Sequence, residues 1–370
     1  MVRLALFAMS LAGCELIADI PSHTLAPDDA GGGSGNDDGG EIDGGAGIDA
    51  KVGCDLDSEC ASGVCLVDRS CAMDSHIVYA APAGTGAACS ATVPCSVETA
   101  VTKLAAGIDV IKLAAGVYER SAQLDLAAPV TIAGTGATWH GNPGQDFMPL
   151  LVATGTPVVV IGIDFDLNGS PGITCSAGQL VLSRAKLHSG FYGVFGSQTC
   201  SATIDRTSFS ANTFYGAYFS MGTTVAITNS YFTDHTPSIT SLAALIFEQV
   251  TGTVSHTTFS NNTGDTPAIH CATSPNLKLT SLISFGHASP SVEPGCHVSY
   301  SVLDPGYAGP GTNNVTTNPM FIGAGNYHLS AASPVRGMGD PASTMAHDGD
   351  GEARPQPAGS RADPGADEVP

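Results

Sequence analysis

Six charged residues in the middle of this chain are placed to do chemistry together: Asp164, Asp166, Arg184, Lys186, Asp205 and Arg206. Asp164 and Asp166 stand two apart, so an extended backbone sends both carboxylates to one face. Lys186 follows Asp164 by 22 residues, Arg206 follows Arg184 by 22, and Asp205 adjoins Arg206. Stacked by a repeat, these positions form an acidic and basic strip able to bind an anionic sugar, with calcium held on the carboxylates. The competing reading is a solvated face of cross-strand ion pairs, each worth little. A second candidate is aromatic. Phe191-Tyr192-Gly193-Val194-Phe195 returns 23 residues later as Phe214-Tyr215-Gly216-Ala217-Tyr218. In a strand one of two adjacent aromatics must face outward, which makes Tyr192, Tyr215 and Tyr218 carbohydrate-binding candidates. Interior stacking, which adds about 0.5–1.5 kcal/mol per pair, is the alternative. Third, His347-Asp348-Gly349-Asp350-Gly351-Glu352 is similar to part of an acidic calcium loop, with Asp348 and Asp350 as the ligands. A purely structural turn competes with it. His188, His235, His256 and His270 show no compact metal spacing, and no Ser-His-Asp or reactive-Cys arrangement stands out.

The elements that would position these residues recur. Large apolar residues stand at Phe165, Leu187, Phe209, Phe232, Phe259 and Phe285, spaced 22 to 27 apart. Five positions before the first five lie Val160, Leu182, Ile204, Ile227 and Val254. Strand-length apolar runs at that period, separated by Gly, Asn, Ser and Thr, predict an all-β solenoid, a parallel β-helix in particular. Three residues after the anchors stand Asn168, Gly190, Asn212, His235 and Asn262, the expected ladder of stacked turn side chains. Ile77 to Ala80 reads as a first strand. Ser96 to Ala106 follows as a helix with Val97, Val101, Leu104 and Ala105 on one face, capped by Ser96 at its start and Gly107 at its end. That helix is expected to cover the open N-terminal end of the solenoid.

Composition agrees. Of 370 residues only 13% are charged, 45 are Gly, and the formal net charge is −21. Such acidity excludes nucleic acid and anionic lipid surfaces as partners, since both call for basic patches. No stretch beyond residue 20 is apolar and long enough to cross a bilayer. Residues 1–13 read as a signal peptide, with Arg3 ahead of an apolar run from Leu4 to Ala12. Leu11-Ala12-Gly13-Cys14 resembles the bacterial lipobox, which implies lipidation at Cys14. Glu15, rather than Asp, after the Cys implies the outer membrane. Residues 14–50 then form a Gly- and Asp-rich tether without Lys or Arg, too polar to pack and extended by its own charge.

Without Cys14, ten of the 11 cysteines remain, an even number for an oxidising compartment. Cys54, Cys60, Cys65 and Cys71 have spacings of five, four and five residues, unlike the C-x2-C of zinc sites. They predict a two-disulfide module over 51–75 whose pairing stays open, ahead of a β-helix domain over 76–370. Cys89 and Cys95 are expected to clip one loop. Cys175 and Cys200, like Cys271 and Cys296, are 25 apart and follow successive anchors by similar offsets. Strands of adjacent rungs lie about 4.8 Å apart, within the Cα range of a disulfide, so both pairs are expected to bridge rungs.

The opening segment, a strand, Pro82-Ala83-Gly84, a Cys-bearing loop, a capping helix and then Asp109-Val-Ile111-Lys-Leu113-Ala-Ala-Gly116-Val-Tyr118, resembles bacterial right-handed parallel β-helix proteins of the pectin-lyase-like superfamily. So do Asn318-Pro319-Met320-Phe321, Gly325-Asn326-Tyr327-His328-Leu329, Ser333-Pro334-Val335 and the tail with Asp350-Gly351, Arg354-Pro355 and Ala362 to Glu368. The resemblance covers residues 77–370. It implies the fold, and for the superfamily's lyases and glycosidases a carboxylate cluster with calcium and a basic residue, or several Asp. No catalytic motif of that kind is recognisable here. The tail departs from the pattern at Pro364 and Asp367, which predicts a loosely held last strand. Together these readings predict a surface lipoprotein that binds or displays toward extracellular carbohydrate without catalysis. The rivals are a lyase or hydrolase on acidic glycans and an adhesin or envelope spacer.

Overall fold

The computed structural model describes residues 53–120, 122–142, 149–236, 243–264, 266–288 and 290–370. The signal peptide, Cys14 and the tether lie outside the described residues.

Among the described residues the strands form three parallel sheets, with one small antiparallel hairpin beyond them. The first has ten strands, from Ile77–Ala80 to Val298–Ser299; the second has seven, from Leu124–Leu126 to Ile269–Ala272; the third has nine, from Gly116–Arg120 to Val302–Leu303. The chain visits them in a fixed order. Pro157–Ile161 in sheet one leads to Asp164–Asp166 in sheet three and Ile173–Ser176 in sheet two, and each pairs in register with its equivalent one rung on. This is the expected β-helix.

The anchors explain the stacking. Phe165, Leu187, Phe209, Phe232 and Phe259 are fully buried on sheet three, as are Val160, Leu182, Ile204, Ile227 and Val254 on sheet one. Phe209 lies on Phe232 at 4.5 Å, and Phe232 on Phe259 at 5.0 Å. Phe285 is a correction. Phe259 pairs with Ser284, so Ser284 takes the inward position and Phe285 faces out to pack with Val302 and Leu329.

Six successive turns from sheet one to sheet three each carry a residue in the left-handed region, Gly162, Arg184, Arg206, Asn229, His256 and Ser281, with φ from 45° to 69°. A corner that sharp needs it, although the conformation costs a non-glycine residue on the order of 1 kcal/mol. The turns from sheet three to sheet two carry the ladder. Gly190 donates its N–H to Asn212 Oδ1, Asn212 to His235 Nδ1, His235 to Asn262 Oδ1 and Asn262 to His287 Nδ1. Asn168 departs from the expectation. It takes the left-handed corner (φ 46°), and the buried Leu167 fills the interior beside Gly190, where a Cβ would fall 2.4 Å from Leu167 Cδ1.

Both ends are covered. The helix α1 is shorter than expected, Val97–Val101, with Ser96 Oγ accepting from Thr99 N. Gly107 does not cap it; it turns the chain between Ala105 and Ile108. Cys54–Cys65 and Cys60–Cys71 close the N-terminal module, while Cys89–Cys95, Cys175–Cys200 and Cys271–Cys296 bond as expected. The module packs Val64 and Ala72 on Ile77, Val110, Ala133 and Ile161 of sheet one. After the last rung, an antiparallel hairpin (Phe321–Gly323 with Asn326–Leu329) precedes a tail that returns along the corner of sheets one and three. The tail is not loose: residues 362–369 are buried.

Candidate functional site

The outward residues of sheet three form a polar trough. One column runs Glu119, His140, Asp166, His188, Ser210, Thr233; beside it run Thr138, Asp164, Lys186, Ser208, Tyr231. The inward anchors between the columns fix the outward direction of both. His188 stands between the two carboxylates, with Nε2 2.9 Å from Asp164 Oδ1 and Nδ1 3.8 Å from Asp166 Oδ1. One rung away His140 has Nδ1 3.4 Å from Glu119, while its Nε2 accepts from Asn168 Nδ2 at 3.1 Å and lies 3.9 Å from Asp166. The hydrogen bond to Asp164 raises the pKa of His188 against the opposing effect of burial. Toward the C-terminal end the trough passes under the hairpin. There Lys186, Ser208, Ser210, Tyr231, Thr233 and Asp234 face Asn326, Tyr327 and His328 across a cavity of 470 Å³. Tyr327 Oη donates to Asp234 Oδ1 at 2.6 Å and ties the hairpin down as its wall.

The structure thus splits the strip expected from the sequence. Asp164, Asp166 and Lys186 lie together in the trough. Arg184 and Arg206 are corner residues, and Asp205 ends a sheet-one strand beside them. Arg184 donates to the carbonyls of Asp55 and Cys65 and lies 3.6 Å from Asp57, so it holds the N-terminal module to the solenoid. Burial lowers its pKa, with Asp57 opposing. Asp205 accepts from Thr228 Oγ1, Asn229 Nδ2 and, at 3.4 Å, lies against Arg206 Nε. Sequence reasoning missed His188, His140 and Glu119 as site residues. The signal was present: His140, Asp166 and His188 each stand one position after a buried large residue, Trp139, Phe165 or Leu187.

The aromatic residues lie on the outer side of sheet two. Tyr192 stacks on Tyr215 at 5.2 Å, Phe191 on Phe214 at 4.4 Å, and Phe195 meets Tyr218 edge-on at 5.5 Å. The rings largely cover each other. Tyr215 is only 4% exposed, packed with Ala243 and Ile246, which corrects its expected role as a direct sugar contact. Tyr192 and Tyr218 keep half-buried rims, their hydroxyls engaged with Thr174 Oγ1 at 3.1 Å and Glu248 Oε2 at 2.5 Å.

Asp348 is also corrected as a calcium ligand. Buried, it spends both oxygens on backbone amides: those of Asp350 and Glu352 on Oδ1, that of Glu368 on Oδ2. Asp363 and Glu368 serve the same way, taking the amides of Gly337 and Val369, and of Gln356 and Asp363. Buried Arg354 lies among them, Nε 3.4 Å from Glu368 and Nη1 on the carbonyls of Asp363 and Gly365. A chain without regular structure needs partners for its buried amides, and these carboxylates supply them. Asp350 is exposed and faces His328.

Residues 171–301 match a family described as the right-handed beta helix region. The fold is accordingly the right-handed parallel β-helix. The solved structure of a pectate lyase, Pel9A, is similar to the chain with a TM-score of 0.48 and 14% identity, over 80% of this chain and 96% of that one. No curated protein matches.

Proposed function

We propose that this chain is a lipid-anchored protein of the bacterial cell envelope whose β-helix holds extracellular carbohydrate in the trough of sheet three without cleaving it. The observation that carries this reading is the place of His188. Asp164 and Asp166 are the pair of carboxylates in the trough, the group type that a glycosidase uses as acid and base. The imidazole of His188 bonds to Asp164 Oδ1 and lies 3.8 Å from Asp166 Oδ1, which supports a reading in which both carboxylates are engaged by the protein itself. What remains is a row of charged and hydroxyl groups that suits sugar hydroxyls and acidic sugars, with Lys186 for a carboxylate. The half-exposed rims of Tyr192 and Tyr218 offer the same ligand class a second contact. The lipobox-like Leu11 to Cys14 supports the anchor, and Glu15 the outer membrane.

The test combines binding and product analysis on neutral and acidic polysaccharides. Binding without new chain ends, weakened at least tenfold when Lys186 and His188 are both changed to Ala, is the expected result. Loss on Tyr218→Ala instead moves the contact to sheet two. New unsaturated or reducing ends, abolished by Asp166→Asn, replace this reading with a lyase or hydrolase. Retention of an envelope protein with no glycan signal favours the adhesin.

A further inference from the structure

The trough's far wall has a second side. Past the hairpin, His328, Leu329 and Ile322 border a cavity of 220 Å³ closed by Asp350, Glu352, Asp367 and Glu368 of the returning tail. Nitrogen or oxygen atoms of His328, Asp350 and Asp367 all lie within 4.8 Å of one another. From this geometry we infer that the three residues bind a divalent transition cation of the zinc class, which staples the hairpin to the tail.

The tautomer of His328 is the first argument. Asn326 Oδ1 stands 2.6 Å from Nδ1 and also accepts the backbone N–H of His328, so it is an oxygen and Nδ1 carries the proton. Nε2 is thereby the ring atom turned to the carboxylates, 2.7 Å from Asp350 Oδ2. An outer hydrogen bond that orients the ring is also what metal-ligating histidines have. Second, one proton on His328 does not balance the site. Asp350 and Asp367 both face it, and Asp367 has only Oδ2 committed, to the amide of Leu329. Third, the hydroxyl of Tyr231 is buried without a hydrogen-bond partner, close enough to feel the charges of Asp367, Asp350 and Asp348; its ring lies 5.8 Å from that of His328. Glu352 lines the same cavity and can complete the coordination. An imidazole nitrogen with carboxylates suits zinc and its neighbours. Calcium selects oxygen alone.

The test uses the full chain, stripped with chelator and dialysed, then titrated with zinc chloride or calcium chloride. One equivalent of zinc is expected to bind and raise Tm by a few degrees, with no effect of calcium. His328→Ala and Asp350→Asn should abolish both responses, the Tm response being read as the difference between each variant with and without zinc. The inference is overturned by any of three results: no zinc-dependent shift in the parent chain, a shift retained in His328→Ala, or an equal shift with calcium. A zinc response lost in His188→Ala but kept in His328→Ala overturns it too, placing the ion in the trough.

Discussion

Replacing His235 with Asn tests the ladder and the electrostatics of the core together. His235 is fully buried, accepts the amide of Asn212 through Nδ1, and leaves Nε2 without a partner. Burial pulls its pKa down to about 4. The unfolded chain takes up this proton near pH 6.5, so between pH 6.5 and 4 it binds more protons than the folded one. Stability therefore drops as the pH is lowered through that window, by about 1.4 kcal/mol per unit, or about 2 kcal/mol by pH 5. Asn offers Oδ1 at the same bond distance from the backbone as His offers Nδ1, and Asn262 already uses that atom in the next rung. The ladder bond survives, and the lost ring atoms cost about 1–2 kcal/mol at any pH. The variant should be less stable at pH 7, equal near pH 5 and more stable below. Urea unfolding followed by far-ultraviolet circular dichroism at pH 7, 6, 5 and 4.5 measures this. Taking the difference between parent and variant cancels the other titrating groups, Asp367 with its pKa raised to about 6 among them. A difference that stays constant with pH refutes the argument. So does a variant that fails to fold at pH 7, which would mean that the two ladder acceptors are not equivalent.

Further outcomes are expected. Phe232→Ala, between Phe209 and Phe259, should cost about 3–5 kcal/mol in the same unfolding assay. Joint replacement of Cys271 and Cys296 by Ala opens a 25-residue loop and should cost about 2–4 kcal/mol, whereas reductant should have no added effect on that particular bridge. Arg184→Ala should speed amide exchange in residues 54–72 and leave sheets two and three unchanged, as read by mass spectrometry. Asp164→Asn removes the main cause of the raised His188 pKa, so NMR titration should show His188 giving up its proton at a lower pH than in the parent.

The rung period was legible because the same inward position of sheet three is filled by a large apolar residue in five successive rungs, from Phe165 to Phe259. It failed at Phe285, where the register places Ser284 inward and the tail supplies an outer partner for the ring. Arg184 and Arg206 were visible as a pair, but a two-fold strand alternation says nothing of a left-handed corner, and the corner decides where those side chains go. The partners of Arg184, the carbonyls of Asp55 and Cys65, lie too far along the chain for any local pattern to reveal. The trough was half legible. Asp164, Asp166 and Lys186 were found from charge, but the imidazoles between them read as scattered until the rungs were aligned. In the tail, Asp367 looked out of place because its use, capping the amide of Leu329, depends on a hairpin 38 residues earlier.

The corner of sheets one and three is crossed by both ends of the described chain. The N-terminal module reaches Arg184, and the tail runs from Ser281 and Thr258 down to Asn229 and Arg206. A stack of rungs touching only their neighbours melts from its ends, one repeat after another. These two straps cross several rungs each, so a rung cannot leave without breaking bonds to segments far along the chain. The expected consequence is that the solenoid gives up its order in one cooperative transition, with the middle rungs and the two ends exchanging their amides at a common rate.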